Sequence, residues 1–248
     1  MTEPLRVFIG YDPTEHEAAE VCKASLLDNA SVPVLVEYLD QTALRRAGLY
    51  PRTSFWHHEQ RYDTVDGRPY STEFSFSRFL VPTLMQYGRN GSSPWAVFCD
   101  SDMLWRGDIA ELVTGPIHAK RERAVYVVKH NYAPETGTKM RGEMKQEPYF
   151  RKNWSSFMLF NTAHTACQML VPWHLATASG RWLHTFEWCQ DNDIGRLDPK
   201  WNYLVGHDTK ETCNGPLVVH FTSGVPAIPG YEESEFADEW FKYWGKLQ

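Results

Sequence analysis

Residues 5–13 read Leu-Arg-Val-Phe-Ile-Gly-Tyr-Asp-Pro, a short apolar strand followed by a helix-start signal. Asp12 suits the N-cap, Pro13 suits the first helical position, and Glu15 completes a capping-box pattern. Apolar residues then recur at helical spacing, and a second apolar strand covers residues 33–38. This β-α-β opening favours a mainly parallel sheet with helices on its faces. Ligands of such sheets bind beyond the carboxyl ends of the strands.

Another apolar strand, followed directly by acidic residues, covers residues 97–102, Val-Phe-Cys-Asp-Ser-Asp. Alternate side chains of a strand lie on one face, so Asp100 and Asp102 can point the same way. Two converging carboxylates repel each other and need a cation, and hard oxygen ligands suit Mg²⁺ or Mn²⁺. Such an ion, held by few protein ligands, usually also holds substrate phosphates. The motif indicates a metal-diphosphate site, although the same spacing is common at turns and helix caps.

Composition narrows the class of protein. The 248 residues fit one large α/β domain covering residues 1–248. The net charge of −6 and the lack of a long basic run argue against nucleic acid as a partner. Five scattered cysteines indicate reduced thiols, and the N-terminus lacks a signal-peptide pattern. No apolar run approaches the ~20 residues of a membrane span. We therefore expect a cytoplasmic protein, and peripheral contact at the inner membrane face stays open.

Two further segments, an aromatic region and the C-terminal region, each have a predicted structure. Residues 41–75 are predicted to be irregular and aromatic, which is typical of a functional lid or of a loop pinned by its own aromatic side chains. A C-terminal helix is predicted at about residues 232–246. Its Phe236, Trp240 and Trp244 are four residues apart, so they lie on one face and are expected to pack on the core.

Three further polar motifs follow the first strands. Arg78 lies on a predicted helix before the aspartate pair. Residues 190–193 read Gln-Asp-Asn-Asp, a cluster of acidic and amide groups. His220 ends the last apolar strand and opens the sequence His-Phe-Thr-Ser-Gly. As a metal ligand this imidazole would favour Mn²⁺ over Mg²⁺, because imidazole is softer than carboxylate.

The order and spacing of these motifs, from residue 7 to about residue 226, resemble the retaining glycosyltransferases of family 8. Besides the motifs above, the likeness includes an Asn and small residues before a buried strand, seen here at residues 153–161, and a later Asn in the sequence Lys-Trp-Asn at residues 200–202. Family members usually carry a Lys shortly after the terminal Gly, where this chain has Val225. Either another cation takes its place, or the diphosphate is held differently. The resemblance implies a single GT-A type, Rossmann-like α/β domain with a mainly parallel mixed sheet flanked by helices.

The resemblance also implies an activity. A hexose would move from a nucleotide sugar, most simply UDP-glucose or UDP-galactose, to a saccharide, lipid-linked or other hydroxyl acceptor. The anomeric configuration would be retained. Asp100, Asp102 and His220 would hold Mn²⁺, with Mg²⁺ as the alternative ion. The oligomeric state is left open.

The same resemblance assigns residues to the donor. Asp191 would contact the sugar hydroxyls and support the electrostatics of the reacting face, and the side chain of Asn192 would lie near the anomeric carbon; these two are the predicted catalytic residues. Asp12 has an alternative role as a helix cap. The predicted donor-binding set comprises Gly10, Tyr11, Asp12, Arg78, Asp100, Ser101, Ser155 and Ser156.

Two other functions compete with this interpretation. A metal-dependent nucleotidyltransferase would share the sheet and the aspartates, but it normally has a Gly-rich basic phosphate loop after its first strand. Residues 10–20 contain no Lys or Arg. A non-catalytic nucleotide-sugar-binding protein would need the donor site without needing Asp191.

Overall fold

The computed structural model describes residues 3–86, 93–114, 122–131, 138–139, 144–145 and 150–248. The strands are β1 (Leu5–Tyr11), β2 (Val34–Asp40), β3 (Ser54–His57), β4 (Gln60–Asp63), β5 (Pro69–Tyr70), β6 (Trp95–Cys99), β7 (Met103–Trp105), β8 (Val125–Val127), β9 (Thr138–Lys139), β10 (Met144–Lys145), β11 (Phe157–Asn161), β12 (Ile194–Arg196), β13 (Tyr203–Leu204) and β14 (Val218–His220).

Most of the described α-helices are short, with four to six residues each, and only the first and the last are longer. Among the described residues, none is long and apolar enough to cross a membrane. The α-helices are α1 (His16–Asn29), α2 (Gln41–Arg46), α3 (Phe74–Ser77), α4 (Val81–Gln86), α5 (Ala110–Thr114), α6 (Pro172–Thr177), α7 (Gly180–His184) and α8 (Ala237–Leu247). Short 3-10 turns cover Pro13–Glu15, Arg78–Leu80, Trp154–Ser156, Thr165–Met169, Asp191–Asp193 and Pro199–Trp201.

The centre of the fold is a six-stranded sheet in the order β12-β8-β11-β6-β1-β2. β11 runs antiparallel to both of its neighbours, whereas the other pairs are parallel. Every residue of β6 is buried, as expected of a strand covered on both faces. Val7 and Ile9 pack with α1 on one face, while Phe8 packs with the residues of α3 and α4 on the other. The predicted mainly parallel mixed sheet flanked by helices is confirmed.

A smaller sheet, in the order β13-β14-β7, continues from the carboxyl edge of the central sheet. β7 follows β6 after only three residues, and β14 pairs antiparallel with β7. His220 lies opposite Met103 in this register. The last apolar strand of the sequence therefore ends next to the aspartate pair, although the two motifs are far apart in the chain.

The aromatic segment at residues 41–75 is more regular than predicted. It contains α2 and a three-stranded antiparallel sheet in the order β3-β4-β5. These strands are two to four residues long, too short to show the alternation that identifies a strand in sequence. A buried ion pair between Arg52 and Asp63 joins this segment to the carbonyl groups of Leu175 and Ala178.

The C-terminal helix begins at Ala237, later than predicted. Phe236 precedes it in a left-handed conformation, with φ of 67°, so a helix cannot run through this residue. Trp240 is buried and packs in a cluster with residues of β7, β13 and β14, which confirms the expected packing on the core.

Candidate active site

The aspartate pair and the distant histidine meet at the carboxyl edge of β6. The N–H of Asp100 donates to the carbonyl of Ser156 at 2.9 Å, which holds Asp100 against the start of β11. The carbonyl of Asp102 accepts from the N–H of Phe221 at 2.9 Å, which joins it to the end of β14. The two carboxylates and the His220 ring each offer a ligand atom, and these atoms lie within 4.8 Å of one another. All three residues are buried.

The chemistry of this cluster fits a divalent cation. Nε2 of His220 lies 3.1 Å from Oδ1 of Asp102. An imidazole nitrogen and a carboxylate oxygen at this distance need a proton or a metal ion between them. Two carboxylates and an imidazole form a donor set that suits Mn²⁺. The structure thus brings together Asp100, Asp102 and His220 in an arrangement that could hold such an ion.

A cavity of about 630 Å³ opens beside the cluster. Its walls come from residues within the segments 66–78, 150–156 and 179–184, and Asp100 and Asp102 contribute to its surface. The volume is in the range of pockets that bind a nucleotide or a drug-sized ligand. One wall belongs to the aromatic segment for which the sequence predicted a lid or a pinned loop.

Glu15 also lines this cavity, which sequence reasoning missed. Asp12 caps the 3-10 turn by accepting the N–H of Thr14 at 3.0 Å, but Glu15 does not complete a capping box. Its carboxylate instead accepts a hydrogen bond from Ser101 Oγ at 2.7 Å. Burial, and secondly the charge of Asp102, raises the pKa of Glu15 to about 8. Because the spacing from Asp12 to Glu15 matched a helix cap, nothing in the sequence placed Glu15 in a cavity.

Gly10, Tyr11 and Asp12 of the predicted donor-binding set have structural contacts and are not in the cavity lining. A Cβ on Gly10 would lie 2.4 Å from the Phe74 ring, so packing against this ring requires glycine. Asp12 is buried, and its second oxygen accepts the N–H of Glu73 at 3.0 Å. Tyr11 packs on a neighbouring aromatic ring and stays partly exposed. Donor contacts of Gly10, Tyr11 and Asp12 therefore stay a prediction.

Arg78 lines the cavity but is engaged by the protein. Its guanidinium lies 2.9 Å from Oδ1 of Asp100 and donates to the carbonyl of Ser155 at 2.8 Å. The rings of Phe74 and Phe98 lie within 5.3 Å and 5.0 Å of it. Arg78 is thus neither an exposed surface ion pair nor aimed at open space. It holds the Asp100 carboxylate in place at the edge of the cavity.

Ser155 and Ser156 both line the cavity. Ser155 Oγ lies 2.8 Å from Nδ1 of His184, a partly buried residue that also lines the cavity. Burial holds the pKa of His184 well below its usual value, and the positive charge of Arg78 adds to this effect. Ser156 Oγ donates to the carbonyl of Asn153 at 2.7 Å. Ser155 therefore joins the segment 150–156 to the segment 179–184, and its carbonyl, which accepts from Arg78, joins it to the segment 66–78.

The predicted catalytic residues lie elsewhere. Asp191 and Asn192 precede β12, which is parallel to β8, so they lie near the amino ends of the parallel strands. Asp191 is 82% exposed and pairs with Arg151, and the carbonyl of Asn192 accepts from Arg123. Neither residue lines the cavity. The structure gives neither residue a contact with Asp100, Asp102 or His220, and the catalytic roles implied for Asp191 and Asn192 stay a prediction.

Lys152 is a second residue that sequence reasoning missed. It is buried and lines the cavity. Its neighbours Arg151 and Asn153 both have left-handed backbones, with φ of 68° and 62°. Such conformations are uncommon outside glycine and often occur at functional sites. No sequence signal identified Lys152, because one lysine in a charged stretch is usually solvated.

The raised pKa of Glu15 predicts a specific pH dependence of stability in the metal-free protein. Unfolded Glu15 titrates near 4.5 and the folded residue near 8, so between these values the folded state keeps a proton that the unfolded chain has lost. Raising the pH through this window therefore destabilises the wild type relative to Glu15→Gln. We expect a difference of about 1–2 kcal/mol between pH 5 and pH 8.5, after allowing for partial exposure. Urea unfolding in EDTA measures it, and parallel pH profiles of the two proteins would contradict it.

Two solved glycosyltransferase structures share this fold. The apo structure of the bifunctional glycosyltransferase WbbM aligns with a TM-score of 0.61 and 16% identity, over 98% of this chain and 50% of the WbbM chain. The galactosyltransferase LgtC, solved with donor and acceptor sugar analogues, aligns with a TM-score of 0.55 and 9% identity, over 98% of this chain and 96% of LgtC. The chain thus spans half the length of WbbM. The fold is that of the GT-A-type glycosyltransferases, as predicted.

A sequence relative identifies the family. The chain is 40% identical over 241 residues to Protein CDI of Arabidopsis thaliana, and this alignment covers 96% of the chain and 85% of that relative. The chain belongs to the family of this plant protein. No protein-family model matches it.

Proposed function

We propose that this protein is a metal-dependent glycosyltransferase of the family 8 type. It moves a hexose from a nucleotide sugar to a saccharide or other hydroxyl acceptor and retains the anomeric configuration. The observation that carries the proposal is the cluster of Asp100, Asp102 and His220 at the edge of a cavity of about 630 Å³, in a fold shared with glycosyltransferases. That LgtC was solved with donor and acceptor sugar analogues also supports it.

Asp100, Asp102 and His220 are the proposed ligands of Mn²⁺, or of Mg²⁺. The bound ion supplies positive charge beside the leaving nucleoside diphosphate. Arg78 keeps the Asp100 carboxylate in one orientation through the contact at 2.9 Å. A fixed carboxylate loses less conformational freedom on binding the ion, which favours a preorganised site.

Lys152 is the proposed cation for the donor phosphates. Family 8 members usually carry a Lys after the terminal Gly, where this chain has Val225, and Val225 is an apolar core residue. Lys152 is buried at the cavity wall, where a positive charge is worth more than at the surface. The cavity also carries the carboxylates of Asp100 and Asp102, so bound phosphates need added positive charge.

The acceptor is proposed to enter from the side of the β3-β4-β5 sheet. Asp66 and Arg68 from this region and Arg181 from α7 line the cavity there. Asp66 accepts the N–H of Gly180 at 2.7 Å, so the two walls are joined at this point. Carboxylate and guanidinium groups can both hydrogen-bond sugar hydroxyls.

We further infer a cytoplasmic location. All five cysteines are free thiols, including Cys22 and Cys99, whose sulfur atoms are 3.8 Å apart. Neighbouring thiols that stay reduced agree with a reducing compartment. Peripheral contact with a membrane stays a prediction.

The proposal is tested by incubating the purified protein with UDP-glucose or UDP-galactose and Mn²⁺. We expect slow release of UDP as the sugar passes to water, and faster release once a suitable acceptor is added. A prior thermal-shift screen of nucleotide sugars selects the donor, because a bound donor stabilises the folded state by mass action. Tight donor binding without turnover under any acceptor would favour a binding protein. Release of pyrophosphate from UTP and a hexose phosphate would favour a nucleotidyltransferase.

A further inference from the structure

Asn202 is fully buried, and its side-chain amide contacts His220, one of the three residues of the candidate metal site. Its Nδ2 donates to Ser156 Oγ at 2.9 Å and lies 3.3 Å from the carbonyl oxygen of Asn153, which also accepts it. A backbone carbonyl can only accept hydrogen bonds, so the amide nitrogen must lie on this side. The amide oxygen therefore points the other way, and it lies 3.0 Å from Nδ1 of His220.

The orientation of this amide decides which nitrogen of His220 carries the proton. An amide oxygen has no hydrogen to donate, so Nδ1 of His220 must be the donor in this contact. A neutral imidazole carries one N–H. With Nδ1 protonated, the lone pair lies on Nε2, the atom that faces Asp102 Oδ1 at 3.1 Å. This is the nitrogen that would bind an ion shared with the two carboxylates.

We propose that Asn202 is a positioning residue that holds His220 with its proton on Nδ1 and so presents Nε2 as a metal ligand. The inference rests on the divalent-metal site of the proposed function. It does not need the chain to transfer a sugar. Histidine ligands of metals are generally oriented by an acceptor at their other nitrogen, and its loss typically costs 10- to 100-fold in metal affinity.

The two groups that accept from Asn202, the Asn153 carbonyl and Ser156 Oγ, are themselves held in place. The Asn153 carbonyl accepts from both Asn202 Nδ2 and Ser156 Oγ, and Asn153 has a left-handed backbone with φ of 62°. Ser156 in turn accepts Asp100 N–H at its carbonyl oxygen. The chain that orients His220 thus continues to the backbone of the first aspartate. Asn202 cannot turn its amide over without losing its bonds to both Ser156 and Asn153.

The test measures Mn²⁺ binding by EPR without donor or acceptor. We expect Asn202→Leu, which keeps the volume but removes both hydrogen-bonding groups, to bind Mn²⁺ about 10- to 100-fold more weakly. Pulsed EPR of bound Mn²⁺ should show coupling to an imidazole nitrogen in the wild type, lost in His220→Ala and reduced in Asn202→Leu. Asn161→Leu is the matched control. Asn161 is also buried, donates to the Arg123 carbonyl at 3.2 Å and ends β11, whereas Ser156 precedes the start of this strand. This control should keep the affinity within about 2-fold, because its loss does not reach the ligands.

A purely structural role predicts a different result. Asn202→Leu would then lower the unfolding temperature but leave both the Mn²⁺ affinity and the nitrogen coupling of the folded protein unchanged, which would overturn the inference. Should Asn202→Leu fail to fold, ¹⁵N NMR of the metal-free wild type, recorded at a pH at which the imidazole is neutral, decides the question by itself. We expect the proton of His220 on Nδ1, and a proton on Nε2 would refute the proposal.

Different results would refute the positioning role of Asn202 and the proposed transferase activity. A protein that binds Mn²⁺ through His220 in an Asn202-dependent way, yet releases no UDP from any donor, would keep the positioning role and lose the transferase. A wild type without Mn²⁺ affinity would remove the positioning role, whatever enzyme activity is found.

Discussion

Asp102→Asn is expected to lower the rate of UDP release by about 100-fold or more. Asparagine keeps the shape of the side chain but removes the negative charge that faces Nε2 of His220 at 3.1 Å. The ion is then held more weakly, and less positive charge supports the leaving diphosphate; removal of one such electrostatic group typically costs about 10²–10³ in rate. The measurement is a UDP-coupled assay at saturating donor and Mn²⁺. A variant with more than half of the wild-type rate would contradict the metal-dependent function.

The matched variant Asp191→Asn tests whether Asp102 or Asp191 supports the reaction. Asp191 is exposed and pairs with Arg151 outside the cavity, so Asp191→Asn is expected to keep most of the activity. A loss as large as that of Asp102→Asn would instead support the catalytic role predicted from sequence. It would also mean that the 3-10 turn at Asp191–Asp193 reaches the cavity in the working enzyme.

Arg52→Met is expected to destabilise the fold by about 3–5 kcal/mol, because it leaves a buried carboxylate without its partner. Nε and Nη2 of Arg52 bind the two oxygens of Asp63 at 2.8 Å and 2.6 Å, and both side chains are 1% exposed. Nη1 donates to the carbonyl groups of Leu175 and Ala178 at 2.6 Å and 2.7 Å, and these acceptors would also lose their donor. Urea unfolding at neutral pH measures the change.

Two further variants test this explanation. Lys246→Met removes an exposed ion pair with Asp28 and should change the unfolding free energy little, because surface pairs contribute little. The double variant Arg52→Met with Asp63→Asn should recover part of the loss, since no charge is then left buried and unpaired. A single variant as stable as the wild type would show that this ion pair does not anchor the aromatic segment.

That Asp100, Asp102 and His220 lie close together was predictable from the sequence for a geometric reason. The aspartate pair and His220 each lie at one end of an apolar strand, and strand ends meet at the edge of a sheet. Arg78 lines the cavity, where its predicted donor contact stays a prediction, and its ion pair with Asp100 was not foreseen. Its contact with Asp100 depends on how a helix lies across the sheet, which no local pattern encodes.

Glu15, Lys152 and Asn202 show where sequence reasoning stops. Glu15 fitted a cap, and Lys152 fitted a solvated loop. Asn202 had no partner visible within its own segment. Glu15 and Asn202 are placed by contacts with distant residues, Ser101 for Glu15 and His220 for Asn202, and Lys152 is placed by burial at the cavity wall. The residue type gives the chemistry of a side chain, but it does not tell which distant residues will contact that side chain in the fold.

Asp191 is the opposite case, a residue whose predicted catalytic role has no support from its position and stays a prediction. The acidic-amide cluster matched a family motif in order and spacing, yet β12 pairs parallel to β8 and leaves the cluster at the other end of the strands. Strand direction is set by the pairing of whole strands and not by the residues before them, so the motif alone could not locate it.

The amino-acid sequence by itself determined the parallel β-α-β opening and the kinds of ligand at the strand ends, because hydrophobic periodicity and side-chain chemistry are local properties. Tertiary structure alone decided which polar groups share the cavity and which nitrogen of His220 faces the carboxylates. These depend on hydrogen bonds and strand pairings between segments that approach each other only when the core is packed.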